Sequence, residues 1–166
     1  MKHPALLAIS LLLSFWILSS QGALAFPNEP SNGFRDLAWE TLSKDVQGLN
    51  LVDERRIGGD MITVYTRESD QLSFEGTELD RIRYVFFKGK FFLVYLVATD
   101  SRSKYKAIRS ALLDKFGQPS AAFPRRDRFY WEGQKVTVSL EYDDFPERTV
   151  VSYYYRPLGE RIQQAP

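Results

Sequence analysis

Arg128-Phe129-Tyr130-Trp131-Glu132-Gly133-Gln134-Lys135-Val136-Thr137-Val138-Ser139-Leu140-Glu141 carries the deciding pattern: apolar residues recur at every second position on both sides of a Gly-Gln pair. A period of two marks half-buried strands, and a short glycine-containing connection makes them antiparallel. With Gly133-Gln134 as the turn, Trp131 is expected opposite Val136 and Phe129 opposite Val138. A third strand over about 148–155 follows, with Leu140 opposite Val151 and Val138 opposite Tyr153. One face then gathers Phe129, Trp131, Val136, Val138, Leu140, Val151, Tyr153 and Tyr155. The other carries Arg128, Tyr130, Thr137, Ser139, Glu141, Ser152 and Tyr154. A slip of one residue would mix the two sets, so the pattern itself specifies the faces.

A second hairpin lies upstream, with Lys88-Gly89 as its turn. Its register pairs Phe86 with Phe91, Tyr84 with Leu93 and Ile82 with Tyr95, all facing the core. The opposite face holds Arg81, Arg83, Val85, Phe87, Phe92, Val94 and Leu96. That face has more apolar surface than a half-exposed antiparallel sheet needs. Either other segments cover it, or it is a partner-binding patch with Phe87 and Phe92 as anchors and Arg81 and Arg83 at the rim.

Between the hairpins, Tyr105, Ile108, Leu112 and Phe116 form a stripe at helical spacing over 102–116. Asp100 or Ser101 is the expected cap, Gly117 the terminator and Pro119 the stop. A weaker helix is expected near 42–49, a strand over 61–67 and a short one over 72–74. The class is α+β, an antiparallel sheet with helices packed on one face. The element order also admits two divergent repeats, each a helix followed by antiparallel strands. Residues 26–33 have the composition of a linker, 34–156 form the single domain, and 157–166 read as a loose tail.

The stretch from Tyr105 to Pro119, ending Lys115-Phe116-Gly117-Gln118-Pro119 and followed by Phe129-Tyr130-Trp131, resembles a helix–FGxP–strand unit of bacterial envelope proteins. It is similar to the β-lactamase-inhibitor-like and SmpA/OmlA-like folds. The opening Phe34-Arg35-Asp36-Leu37-Ala38-Trp39-Glu40-Thr41 resembles that of uncharacterised exported bacterial α+β proteins. The resemblance covers about half of the chain after residue 25. It implies a fold and protein binding in general, with no inherited partner or site. Lipid anchoring does not carry over, because the chain has no cysteine.

Lys2 and His3, an apolar run from Ala5 to Leu18 and the triplet Ala23-Leu24-Ala25 have the three parts of a secretory signal. The run is shorter than the roughly 20 residues that span a bilayer. Cleavage after Ala25 leaves a chain of 141 residues with 21 basic and 21 acidic side chains. That balance excludes a diffuse binder of nucleic acid or anionic lipid. None of Asn28, Asn32 and Asn50 begins a glycosylation triplet. Export to a bacterial periplasm or medium is therefore expected.

His3 is the only histidine. After cleavage no Ser-His-Asp triad, Cys-His pair or histidine metal site can be built. Asp53-Glu54, Glu141, Asp143-Asp144 and Glu147 are the remaining acidic candidates, and they read as turn and surface residues. Arg126 is expected opposite Glu141 as a cross-strand ion pair, and Gly58-Gly59-Asp60 as a turn. The expectation is a non-enzymatic envelope protein, without cofactor or metal, that binds another macromolecule, most simply another envelope protein. A membrane enters only if the signal stays uncleaved. The alternative is a module holding an apolar or anionic small ligand between sheet and helix.

Overall fold

A computed structural model describes residues 26–99 and 102–163. The expected signal segment and the caps Asp100 and Ser101 lie outside the described residues. The strands in chain order are β1 (Gly33–Phe34), β2 (Leu37–Ala38), β3 (Leu49–Ile57), β4 (Asp60–Arg67), β5 (Ser73–Phe74), β6 (Thr77–Glu78), β7 (Arg81–Phe87), β8 (Lys90–Thr99), β9 (Ala121–Phe123), β10 (Arg128–Glu132), β11 (Val136–Asp144) and β12 (Glu147–Tyr155). Helix α1 spans Arg102–Phe116 and α2 spans Arg156–Gln163. Eight strands form one antiparallel sheet in the order β3-β4-β7-β8-β12-β11-β10-β9. The α+β class therefore holds.

The sheet joins two four-strand meanders along the β8–β12 pairing. Their arrangement is symmetric about that seam, but the first half lacks the helix a repeat would require. Residues expected to be helical near 42–49 form only a 3₁₀ turn, Ser43–Asp45. The backbone there is committed to β8 instead: Glu40 N–H donates to Phe91 O, Phe91 N–H to Thr41 O and Ser43 N–H to Gly89 O. Beyond Gly48 comes edge strand β3, whose mostly exposed, charged residues hide its period.

Helix α1 lays Tyr105, Ile108, Leu112 and Phe116 on one face of the sheet, against Trp131, Val138, Leu140, Val151 and Tyr153. Gly117 ends it at φ 74°, its N–H donating to Leu113 O over 2.8 Å. The freed carbonyl of Gly117 accepts the indole N–H of Trp131 at 2.9 Å. The FGxP turn is thus tied to the core tryptophan that follows it.

Several registers depart from expectation. In β10–β11, Trp131 pairs with Val138 and Phe129 with Leu140, because the connection is two residues longer than Gly133-Gln134 alone. A shift of two keeps every side chain on its face. Leu140–Val151 and Val138–Tyr153 pair as expected. In β7–β8 the turn and the Phe86–Phe91 pair hold, but a bulge follows, and Val85 pairs with Leu93, Tyr84 with Val94 and Ile82 with Leu96. One inserted residue reverses the alternation. Val94 and Leu96 therefore join the α1 core, while Leu93 and Tyr95 turn to the opposite face.

Both segments flanking the expected domain, 26–32 and 156–163, are built into the fold where the composition read as loose. Phe26 is buried, its ring edge-on to Phe116 at 5.1 Å. The Glu29 carboxylate accepts from the N–H groups of Gln134, Lys135 and Val136 at 3.1, 2.6 and 2.8 Å. Residues 26–32 are a strap rather than a linker. The expected tail contains α2. Pro157 suits a first helical turn, and Leu158 and Ile162, four residues apart, point to the sheet. Two apolar positions are too few to show a helical period in sequence. A Cβ on Gly159 would strike the Tyr154 ring, so glycine permits this close packing.

Trp131→Ala removes a fully buried ring and should cost about 3–5 kcal/mol, and Leu158→Ala about 2–5 kcal/mol. Urea denaturation measures both. A loss below about 0.5 kcal/mol at Leu158 would contradict the packing of α2 on the sheet.

Candidate binding site on the outer face

The face opposite α1 is graded from apolar to charged. Helix α2 sits over its apolar end, where Ile62, Val64, Val85, Phe87, Phe92 and Leu93 gather around Leu158. Phe87 and Phe92 are each 4% exposed, and Phe92 meets Tyr154 edge-on at 6.1 Å. They cannot be anchors on a free surface: their excess apolar area is covered by this chain's own C-terminal helix. Arg81 and Arg83 remain at the accessible part of the face, Arg81 exposed and Arg83 partly buried.

Cross-strand pairing sets two rows beyond α2. The first runs Arg83, Tyr95, Ser152, Ser139, Tyr130 across β7, β8, β12, β11 and β10. Four strand spacings make it roughly 19 Å long. Ser139 Oγ and Ser152 Oγ share a hydrogen bond of 2.7 Å. The second row, two residues along each strand, runs Arg81, Val97, Val150, Glu141, Arg128. Arg128, not Arg126, is the partner of Glu141, at 3.5 Å. Register decides this: the pairing is displaced by two residues from that expected.

The charges separate into paired and unpaired. Asp53 binds Arg55 at 2.6 Å, Asp143 binds Arg148 at 2.6 Å, and Glu141 has Arg128 and the Tyr130 hydroxyl, the latter at 3.3 Å. Arg81 and Arg83 make no ion pair among the described residues. Burial, reinforced by Arg81 and partly offset by the attraction of Asp53, lowers the pKa of Arg83 from its ordinary value. Beside it Tyr95 is 8% exposed, and its hydroxyl has no hydrogen-bond partner among the described residues. Burial pushes that phenol well above its usual range, so it remains a donor. A partly buried cation with no direct ion pair, next to an unsatisfied O–H donor, is the recognition chemistry of a carboxylate or similar anion.

The acidic candidates read from the sequence are engaged or exposed here. Each of Asp53, Glu141 and Asp143 has an arginine partner, and Asp144 is 78% exposed in its side chain. No group of three or more metal-binding side chains occurs among the described residues. Among them, too, no helix is long and apolar enough to cross a membrane.

The TP0088 domain model matches residues 40–165, most of the sheet and both helices. The chain belongs to the TP0088 domain family. That description names no activity, ligand or partner. It agrees with the resemblance to exported bacterial proteins at the coarse level of an uncharacterised bacterial family. No curated protein and no solved structure matches the chain.

The sequence pattern puts Arg81 and Arg83 on this face but assigns Tyr95 to the opposite, α1 side. The available signal was Phe91-Phe92-Leu93-Val94, four apolar residues in a row, which no unbroken period-two strand with one polar face can hold.

Burial raises the Glu141 pKa above its ordinary 4.5, against the pull of Arg128. The fold then favours the protonated carboxyl. That contribution is complete below the ordinary value and is lost as pH rises through the raised one. Wild type should lose stability relative to Glu141→Gln between about pH 4 and 7. Urea midpoints across that range measure it, and a difference independent of pH would contradict the burial of this carboxyl.

Proposed function

We propose that the chain is an exported, non-enzymatic envelope protein that binds another macromolecule by seating an acidic group of that partner on Arg83. The observation that carries this reading is the adjacency of Arg83, partly buried and in no direct ion pair among the described residues, and Tyr95, whose buried hydroxyl has no partner among them. Arg81, exposed at the end of the next row, adds attraction at longer range. A partner carboxylate would satisfy the guanidinium and the phenol together, which neither residue achieves within this chain.

Absence of catalysis rests on chemistry. The chain beyond residue 25 has neither histidine nor cysteine, and its half-buried carboxylates on this face are held by arginines. Export rests on the n-region, apolar run and small-x-small site. The helix–FGxP–strand unit, with Trp131 bonded to Gly117 O, supports the likeness to β-lactamase-inhibitor-like and SmpA/OmlA-like envelope proteins, and with it a role in protein binding. A second reading, a small anionic ligand beside α2, draws on the same pair, because α2 borders the hydroxyl row through Tyr154.

The test uses the secreted product, whose N-terminus should read Phe26, and a labelled acidic nonapeptide with its Glu→Gln counterpart. Fluorescence anisotropy at low salt should show binding of the acidic peptide only. Arg83→Gln should weaken it by about ten-fold or more, as loss of a partly desolvated charge does. Arg81→Gln should weaken it less and reduce its salt dependence. Equal affinity for the two peptides, or for wild type and Arg83→Gln, would overturn the reading. Binding of free acetate with no gain from the peptide would favour the small ligand instead.

A further inference from the structure

On the α1 side of the sheet, at the end of β4, a cavity of about 270 Å³ is lined by Arg35, Asp36, Arg67, Ser69, Asp70 and Gln71, with Ser73 at its edge. It lies on the opposite face from Tyr95: Tyr84, which reaches the same cluster, belongs to the α1 core. Three segments build it. The β1–β2 turn supplies Arg35 and Asp36, β4 supplies Arg67, and the loop into β5 supplies Asp70. Arg35 holds a left-handed backbone at φ 55°, uncommon for a residue other than glycine.

The polar groups are half-satisfied in a specific way. Arg67 forks onto Asp36, Nη1 to Oδ1 and Nη2 to Oδ2, each at 2.7 Å. Arg35 Nη2 donates to Ser73 O at 2.8 Å, and its Nη1 stands 3.5 Å from Asp70 Oδ1. Tyr84 donates its O–H to that same Oδ1 at 2.8 Å. Asp70 Oδ2 and Arg67 Nε are buried without a partner among the described residues. The Asp70 side chain is only 6% exposed, whereas that of Arg35 is 29% exposed. The cluster therefore holds a buried carboxylate with a vacant acceptor and, beside it, a more accessible guanidinium.

A ligand for this cavity must donate to Asp70 Oδ2, preferably from a cation, because this buried carboxylate oxygen lacks a donor even though Arg35 and Tyr84 serve Oδ1. It must also tolerate two arginines. The four charges cancel, so neither a plain cation nor a plain anion improves the balance; a molecule carrying both signs does. We propose that this cavity is a binding site for a small zwitterion of the amino-acid kind, its ammonium on Asp70 and its carboxylate on Arg35. The volume admits one such molecule and is at the small end of ligand pockets. Burial, the dominant influence, raises the Asp70 pKa from its ordinary value, consistent with a carboxylate lacking a full complement of partners.

The test is an NMR titration of the ¹³C-labelled protein, following the Asp70 carboxyl and Tyr84 Cζ, with glycine, ethylammonium and acetate as separate probes. Glycine should give a saturable shift at both nuclei. Ethylammonium and acetate should each bind about ten-fold more weakly or worse. Asp70→Asn, read at Tyr84, should weaken glycine by a similar factor. Arg35→Ala, at the accessible mouth, should do the same and covers the case in which Asp70→Asn does not fold. Absence of a saturable glycine shift, equal binding by ethylammonium, or unchanged affinity in both variants would overturn the assignment. The readout nuclei lie across the sheet from Arg83, so these results are independent of binding on the outer face.

Discussion

The pairing of β8 with β12 is the constraint on which the rest depends. Seven residue pairs, from Leu93–Tyr154 to Thr99–Arg148, join the two meanders into one sheet. Along this seam Val94 and Leu96 oppose Tyr153 and Val151 under α1, and Tyr95 opposes Ser152 on the other side. The same hydrogen bonds therefore set both faces. A slip of one residue would send Val94 and Leu96 outward and bury the charged row. The bulge in β7–β8 makes this seam possible, since without it Leu93 and Tyr95 would occupy the core positions.

The two faces are used differently. The α1 face is filled by large rings: Trp131 and Phe116 are fully buried, and Trp39 stacks between Phe91 and Tyr155 at 4.7 and 5.6 Å. Caps and straps meet many of its polar needs, among them the Glu29 carboxylate on three N–H groups of the β10–β11 connection, but not those of Asp70 Oδ2 and Arg67 Nε. Among the described residues, the outer face is covered at its apolar end alone, by a helix of eight residues. Past that helix the sheet carries hydroxyls and arginines, and the unpaired Arg83 and Tyr95 are a local cost to the fold. Natural proteins tolerate such departures from full satisfaction where a ligand completes them.

How much was legible in the sequence follows from which signals are local. Helix α1 was readable to its last residue, because Gly117 and Pro119 terminate it chemically and its stripe repeats four times. The faces of β10, β11 and β12 were readable from alternation, although the connecting loop was misjudged by two residues. The bulge after Phe91 left no mark other than a broken period, and it exchanged Val94 and Leu96 for Leu93 and Tyr95. Helix α2 was hidden by its shortness. Strand β3 was hidden because an exposed edge strand with charges and a bulge of its own lacks an apolar period. The position of Arg81 and Arg83 on the outer face was legible because charge beside an apolar stripe is visible in one dimension. The Asp70 cluster was not, since Arg35, Arg67 and Asp70 are brought together only by the fold.

The central claim is that a carboxylate completes Arg83 and Tyr95 jointly. The most direct measurement is an acetate titration of the protein at constant ionic strength, following Arg83 ¹⁵Nε and Tyr95 ¹³Cζ by NMR. The account predicts that both resonances saturate with a single dissociation constant, and that Tyr95→Phe weakens the response at Arg83. Shifts that fail to saturate, or that appear at Arg83 while Tyr95 stays unchanged, would contradict it.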